Sequence, residues 1–262
     1  MPYDETFYME SVELDIFLLE ANEELNNRLN SVKIKMMEES VSEDDSDIYL
    51  EAAENAFMKF IKEIIKKIGE MIEAIKKKFR DFIKKKQIDA ELKTIAKEYG
   101  RNKARYIDKK IKYFDQKKYT KMCMEFLNDV KKANKEVVKK NYNSINELDD
   151  DINKLNERLE RKYRNLMEDI DYFTDIVALN NTVNDINNSV GLNDKYNDLL
   201  KKSMEDAINS IKDSVSDKPE MIQSKVSNVI SKLVSNCNRM INGLFRGSTM
   251  NIRNIHGAIK SA

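Results

Sequence analysis

His256 is the only histidine in the chain of 262 residues, and Cys123 and Cys237 are the only cysteines. An imidazole can move protons near neutral pH, and a thiolate can act as nucleophile or metal ligand. Neither chemistry finds its partners in this sequence. His256 lies in the basic stretch "RGSTMNIRNIHGAIKSA" with no Cys or Ser motif beside it, and the cysteines stand far apart in no metal-ligand spacing. Both thiols are therefore expected reduced. Adjacent acids such as Asp149 and Asp150 point away from each other on a helix and enclose nothing. No Gly-rich phosphate loop, His-Glu-x-x-His or Gly-x-Ser-x-Gly occurs, and a single histidine removes the Glu-x-x-His di-metal sites of helix bundles. The sequence predicts no enzyme, no cofactor and no metal.

Association is the chemistry that remains. The stretch "FMKFIKEIIKKIGEMIEAIKKKFRDFIKKK", Phe57 to Lys86, places Phe57, Phe60, Ile61, Ile64, Ile68, Met71, Ile72, Ile75, Phe79, Phe82 and Ile83 at steps of three and four, on one face of a helix. Lysines line the opposite face. Glu63, Glu73 and Asp81 each precede a lysine by four residues, which supports a helix in water by about 0.2–0.5 kcal/mol per pair. A second apolar row, Ile145, Leu148, Ile152, Leu155, Leu159, Leu166, Ile170, Phe173 and Val177, follows a 3-4 alternation that predicts a coiled-coil-like segment over 145–177. The candidate interaction residues are Phe57, Ile61, Ile64, Ile68, Ile72, Ile75 and Phe79 on the first row, with Ile152, Leu155, Leu159 and Leu166 on the second.

The elements that carry these rows are helices. Two prolines and six glycines are too few to punctuate strands and hairpins, and no proline occurs between Tyr3 and Lys218. With 35% charged and 41% hydrophobic residues, the balance is that of long exposed helices. The predicted fold is all-α, an elongated bundle of long amphipathic helices. A first helix is expected over Glu10–Met37, with Val12, Ile16, Leu19, Leu25, Leu29 and Val32 on its apolar side, followed by the acidic linker "EESVSEDDSD". The Phe57 helix should stop at Gly100, a second basic helix should span Ala104–Val137, and a shorter helix about Leu192–Val215. Pro219 should open a final helix that ends at Gly243 or Gly247. The expected divisions are an acidic helix and linker over 1–45, a long-helix bundle over 46–180, a helical pair over 181–246 and a loose basic tail over 247–262.

A formal net charge of zero hides segregation by blocks. Residues 1–56 hold 16 acids and 3 bases, net −13; residues 57–140 hold 12 acids and 27 bases, net +15. Residues 141–220 hold 18 acids and 10 bases, net −8, and residues 221–262 hold 6 bases and no acid. Opposite blocks attract within a Debye length of about 8–10 Å, so they are expected to dock on one another, within the chain or between copies. Three short-turn helices should bury one another, with the Phe57–Ile83 stripe against Ala104–Val137 and Ile145–Val177. Nucleic acid is a possible partner through 57–140, where lysines interleave with Phe60, Phe79, Phe82, Tyr99, Tyr106, Tyr113 and Tyr119, and through 221–262. A membrane surface is another, through the basic amphipathic helix 57–86, as in a helical toxin. The opening "MPYDETFYMESVELD" has neither the basic n-region nor the apolar core of a signal peptide, and no window reaches the roughly 18 apolar residues of a membrane span. Secretion by a signal peptide and a transmembrane span are therefore not expected.

The acidic leader, "YLEAAENAFMKFIKEIIKKIGEMIEAIKKKF" and the Lys- and Asn-rich helical body resemble helical virion structural proteins of large tailed bacteriophages that infect low-GC Gram-positive hosts. The resemblance covers about residues 10–86 and carries no diagnostic motif. It implies a non-enzymatic assembly or packaging role in the virion, or in the host cytoplasm during assembly, with itself or other virion proteins as partners. "LLEA", Leu18 to Ala21, is similar to the pattern cut by phage prohead proteases, which makes Glu20 and Ala21 a candidate processing site. Ile61-Lys62-Glu63, Ile145-Asn146-Glu147 and Leu155-Asn156-Glu157 match the loose part of that pattern too.

Overall fold

The computed structural model describes residues 46–85, 97, 99–101, 108–140, 142, 144–182, 188–215 and 220–260. Of these, 86% are helical, and one two-stranded ribbon interrupts the helices. The expected helix Glu10–Met37 and the processing pair Glu20 and Ala21 lie outside the described residues.

Helix α1, Ser46–Lys85, carries the isoleucine stripe. Ile61, Ile64, Ile68, Ile72, Ile75, Phe79 and Ile83 are all buried in the core of the chain. Phe57 lies in the same helix, and its side chain is outside the described ones. The partners of the stripe differ from the expected ones. It packs against α5, Ser189–Val215, and α6, Glu220–Lys260, rather than against the segments 104–137 and 145–177. Charge pairing fixes the direction: Lys76 bonds Asp198 and Arg80 Nη2 meets Asp194 Oδ2 at 2.5 Å, so α1 and α5 run antiparallel. Burial opposes the charged form of Lys76, and its bonds to Asp198 and Glu73 outweigh that, leaving its pKa above the ordinary value.

Two expected helices begin or end in strands. β1, Lys110–Phe114, precedes α2, Gln116–Val138, inside the segment expected as one helix over 104–137. Asp115 starts α2 by accepting the Lys118 backbone N–H at 2.8 Å, the usual work of an N-terminal cap. Helix α3, Ile145–Lys162, capped by Ser144, carries only the first half of the coiled-coil row. Tyr163 leaves the helical region at φ −112°, ψ 23°, a single turn follows as α4, Arg164–Glu168, and β2, Thr174–Ala178, completes the segment. A continuous seam to Val177 is thus replaced by helix, turn and strand. The residues Thr174, Ile176 and Val177 are β-branched, which suits a strand better than a helix.

β1 and β2 pair antiparallel with Lys112 opposite Ile176. Asp115 N donates to Phe173 O at 2.8 Å and Leu179 N to Lys109 O at 2.9 Å. In that register Ile111 and Tyr113 exchange bonds with Val177 and Asp175, and Lys112 and Phe114 turn their backbone groups away from β2. α6 closes that edge. Asn251 accepts from Phe114 N at 2.7 Å and donates to Phe114 O at 2.9 Å, and Asn254 donates to Lys112 O at 2.7 Å.

The last helix continues past both glycines expected to stop it. Gly243 and Gly247 face the aromatic rings of Tyr119 and Phe114, and a Cβ at either position would meet a ring atom or hydroxyl at 2.1 Å. Two helix-interior glycines each cost about 1 kcal/mol relative to Ala, and here they open sockets into which the rings fit. Beyond them Ile252, Ile255 and Ile259 are buried, so 247–260 is core-facing helix where a basic tail was expected. Phe114, Tyr119 and Phe173 form one aromatic cluster, with centroids 4.9 Å apart for Tyr119 and Phe173 and 5.2 Å for Phe114 and Tyr119. Buried residues from α1 to α6 make one continuous core.

Candidate interaction surface

Every candidate interaction residue whose side chain is described faces inward. Ile152, Leu155, Leu159 and Leu166 join Ile61 to Phe79 among the buried residues. The rows read from the sequence are therefore mainly internal interfaces of this chain, and of their buried residues Leu155 and Leu159 also line a cleft that opens to other molecules.

The first surface is this cleft, of about 230 Å³, between α2, α3, α4 and α6. Phe126 and Val130 of α2, Leu155 and Leu159 of α3, and Val229 and Leu233 of α6 make its floor. Its rim carries three bases, Arg164, Lys232 and Arg239, and one acid, Glu160, which pairs with Lys232 at 2.5 Å. Burying apolar floor atoms under a ligand would gain roughly 25 cal/mol per Å², and the rim selects negative charge.

The wall at Tyr163 is stiff. Its ring meets Phe126 edge-on at 5.2 Å, and its hydroxyl donates to Asp129 Oδ2 at 2.7 Å, an oxygen that also accepts from Lys162 Nζ at 2.5 Å. The Lys162 bond, followed by the Tyr163 bond, holds the Asp129 carboxyl below its ordinary range against the opposing effect of burial. Burial, then the bond to Asp129, pushes the Tyr163 hydroxyl up.

The second surface is the outer edge of β2. By the ribbon's alternation Ile176 turns its backbone groups away from β1, and no described residue caps them as Asn251 caps Phe114. The Ile176 side chain is 70% exposed and Tyr172 48% exposed. Lys118 Nζ sits 5.3 Å from the Tyr172 ring centroid, and Asp169, Asp171 and Asp175 surround the strand with exposed carboxylates. The sequence offered a weak signal here, since Ile176 falls off the 3-4 row that includes Val177. Lys232 and Arg239 were legible only as members of an all-basic block.

The two thiols and the imidazole do not line the cleft. Burial pushes the thiols of Cys123 and Cys237 well up, and both are free of disulfides. His256 is half-buried near the end of α6. Among the described residues no group of three or more His, Cys, Asp or Glu side chains could hold a metal ion, and no helix is long and apolar enough to cross a membrane. Of the aromatics considered for stacking on bases, Phe79, Tyr99 and Tyr119 are buried, Phe82 and Tyr113 half-buried, and the side chains of Phe60 and Tyr106 lie outside the described residues. Comparison with protein-family models, curated proteins and solved structures finds no match for this chain.

Proposed function

We propose that this chain is a non-enzymatic structural or assembly protein of a bacteriophage virion, which works by associating with other proteins. The observation that carries the association is Ile176: a β-branched residue 70% exposed on a strand edge that no described residue caps. An open edge offers main-chain donors and acceptors for a partner strand, and an exposed apolar side chain adds burial to that pairing. In this reading α1 and α6, with 40 and 41 residues, are struts of about 60 Å in an elongated bundle that spaces its partners. Resemblance of the leader and stripe to virion proteins supplies the setting.

Mass spectrometry of purified phage particles and proheads tests the setting, and absence of the chain from both would end it. Chemical crosslinking of assembling particles tests the surface. Ile176→Lys should remove crosslinks to the β2 edge and leave the fold, read by circular dichroism, unchanged. The membrane-surface reading loses its main support because the apolar face of α1 is buried in the core. Nucleic acid binding through the lysines of 57–140 would instead be read as affinity that falls steeply with salt.

A further inference from the structure

We propose that the partner of the β2 edge is β2 of a second copy, paired antiparallel about a two-fold axis at Ile176; this rests on the reading of that edge as the surface of association. Thr174, Ile176 and Ala178 turn their backbone groups away from β1, because Asp175 and Val177 are the residues that bond to it. Two of these outward groups are already engaged. Thr174 N–H donates to Asp171 O, and Ala178 caps the 3-10 turn Leu179–Asn181, whose first internal bond its carbonyl accepts. Left over are both groups of Ile176, the carbonyl of Thr174 and the N–H of Ala178, and no described residue bonds them. With Ile176 opposite Ile176 of the second copy, Thr174 stands opposite Ala178. Each Ile176 N–H then meets the other carbonyl, and each Ala178 N–H meets a Thr174 carbonyl. The two engaged groups, Thr174 N–H and Ala178 C=O, fall opposite each other, so every free group is used. A shift of two residues one way sets Asp175 opposite Asp175, a like-charge pair, and a shift the other way carries the Thr174 carbonyl past the end of the second strand. Charge and apolar burial favour the same pairing. The ribbon is acidic at its Thr174 end, with Asp169, Asp171 and Asp175 exposed and Lys118 held against the Tyr172 ring. Toward its Ala178 end it is basic, with Lys110 and Lys112 exposed. Antiparallel pairing lays the acidic end of each ribbon beside the basic end of the other, and it covers Ile176, 70% exposed, with its own counterpart.

The test uses the full chain at a series of concentrations. Sedimentation should give a mass that rises from one chain toward two and stops there, and Ile176→Lys should hold it at one with circular dichroism unchanged. Oxidation reads the register. Opposed Ile176 residues in this pairing have Cα atoms about 5.5 Å apart, within the span of a disulfide, so Ile176→Cys should give a crosslinked dimer under mild oxidation. The Asp175 residues of the two copies, two positions out of step, lie about 8 Å apart. A disulfide reaches roughly 7 Å between Cα atoms, so Asp175→Cys should crosslink about tenfold more slowly. Cys123 and Cys237 are buried and burial pushes both thiols up, so neither competes. Equal crosslinking of the two variants, a dimer that survives Ile176→Lys, or a mass of one chain at every concentration with no Ile176→Cys dimer would overturn the proposal. A monomer whose β2 edge still crosslinks other proteins in assembling particles would overturn self-pairing alone and leave that edge as the surface of association. A dimer of this register with no β2 crosslinks to other proteins in particles would uphold self-pairing and end the assembly role.

Discussion

The hydroxyl oxygen of Tyr119 lies 2.1 Å from where a Cβ on Gly243 would stand, and it donates to the carbonyl of Met240 one turn earlier in the same helix. The tyrosine is thus seated on bare backbone. Gly243→Ala would gain about 1 kcal/mol of helix propensity, yet it must displace a buried ring, and overpacking of this kind costs about 1–3 kcal/mol or more. A net loss is expected in the midpoint of urea unfolding. Gly247→Ala, against the Phe114 ring, should behave alike.

Gly69 is the opposite case. A Cβ there would touch Lys201 at 3.6 Å, an ordinary contact with the far end of a flexible side chain. Gly69→Ala should raise stability by about 0.5–1 kcal/mol through helix propensity alone. An unchanged or lower melting temperature would show that α1 needs the glycine for another reason.

Core truncations should differ in cost by enclosure. Ile68 is fully buried between α1 and its partners, so Ile68→Ala should lose about 2–5 kcal/mol through lost transfer energy and a trapped cavity. Leu159 lines the open cleft, where solvent can fill the space, so Leu159→Ala should fall at the lower end of that range. Ile72→Asp places a carboxylate at a fully buried position of the isoleucine stripe and should abolish the folded state, read by loss of cooperative melting.

Asp129 links stability to acid. Its folded pKa is lowered by Lys162 and Tyr163, so the unfolded chain binds the proton more readily. The stabilisation it gives is full above the unfolded carboxylate pKa of about 3.9 and is lost as pH falls through the lower folded value. Asp129→Asn should therefore weaken the protein at neutral pH and flatten the fall in stability on acidification, both measured by urea midpoints at a series of pH values.

What the sequence discloses is local, and what it conceals depends on distant partners. The stripe from Ile61 to Ile83 was readable because helical spacing alone dictates one apolar face. β1 was not readable. Ile107, Ile111 and Phe114 also fit a helical face, and the choice of strand is made by β2, far along the chain, and by Asn251 on α6. Gly243 and Gly247 look like stops until Tyr119 and Phe114 fill the space above them. The interaction candidates show the same limit. An apolar row announces that it will be buried, and its spacing does not say whether the cover is the chain itself or another molecule. Only the packed arrangement exposes Ile176 and draws Lys232 and Arg239 to one cleft.

The amides of Asn251 and Asn254 do more than satisfy β1. A ribbon open on both sides could recruit strands in both directions and propagate into a fibre, copy after copy. Here one side is closed by side chains of the same molecule and, among the described residues, only the β2 side is left uncapped, so the proposed association would give each chain a valence of one for strand addition. Pairing at β2 consequently terminates itself: two copies joined there would have no edge left to grow from, and a foreign strand bound there would end the sheet.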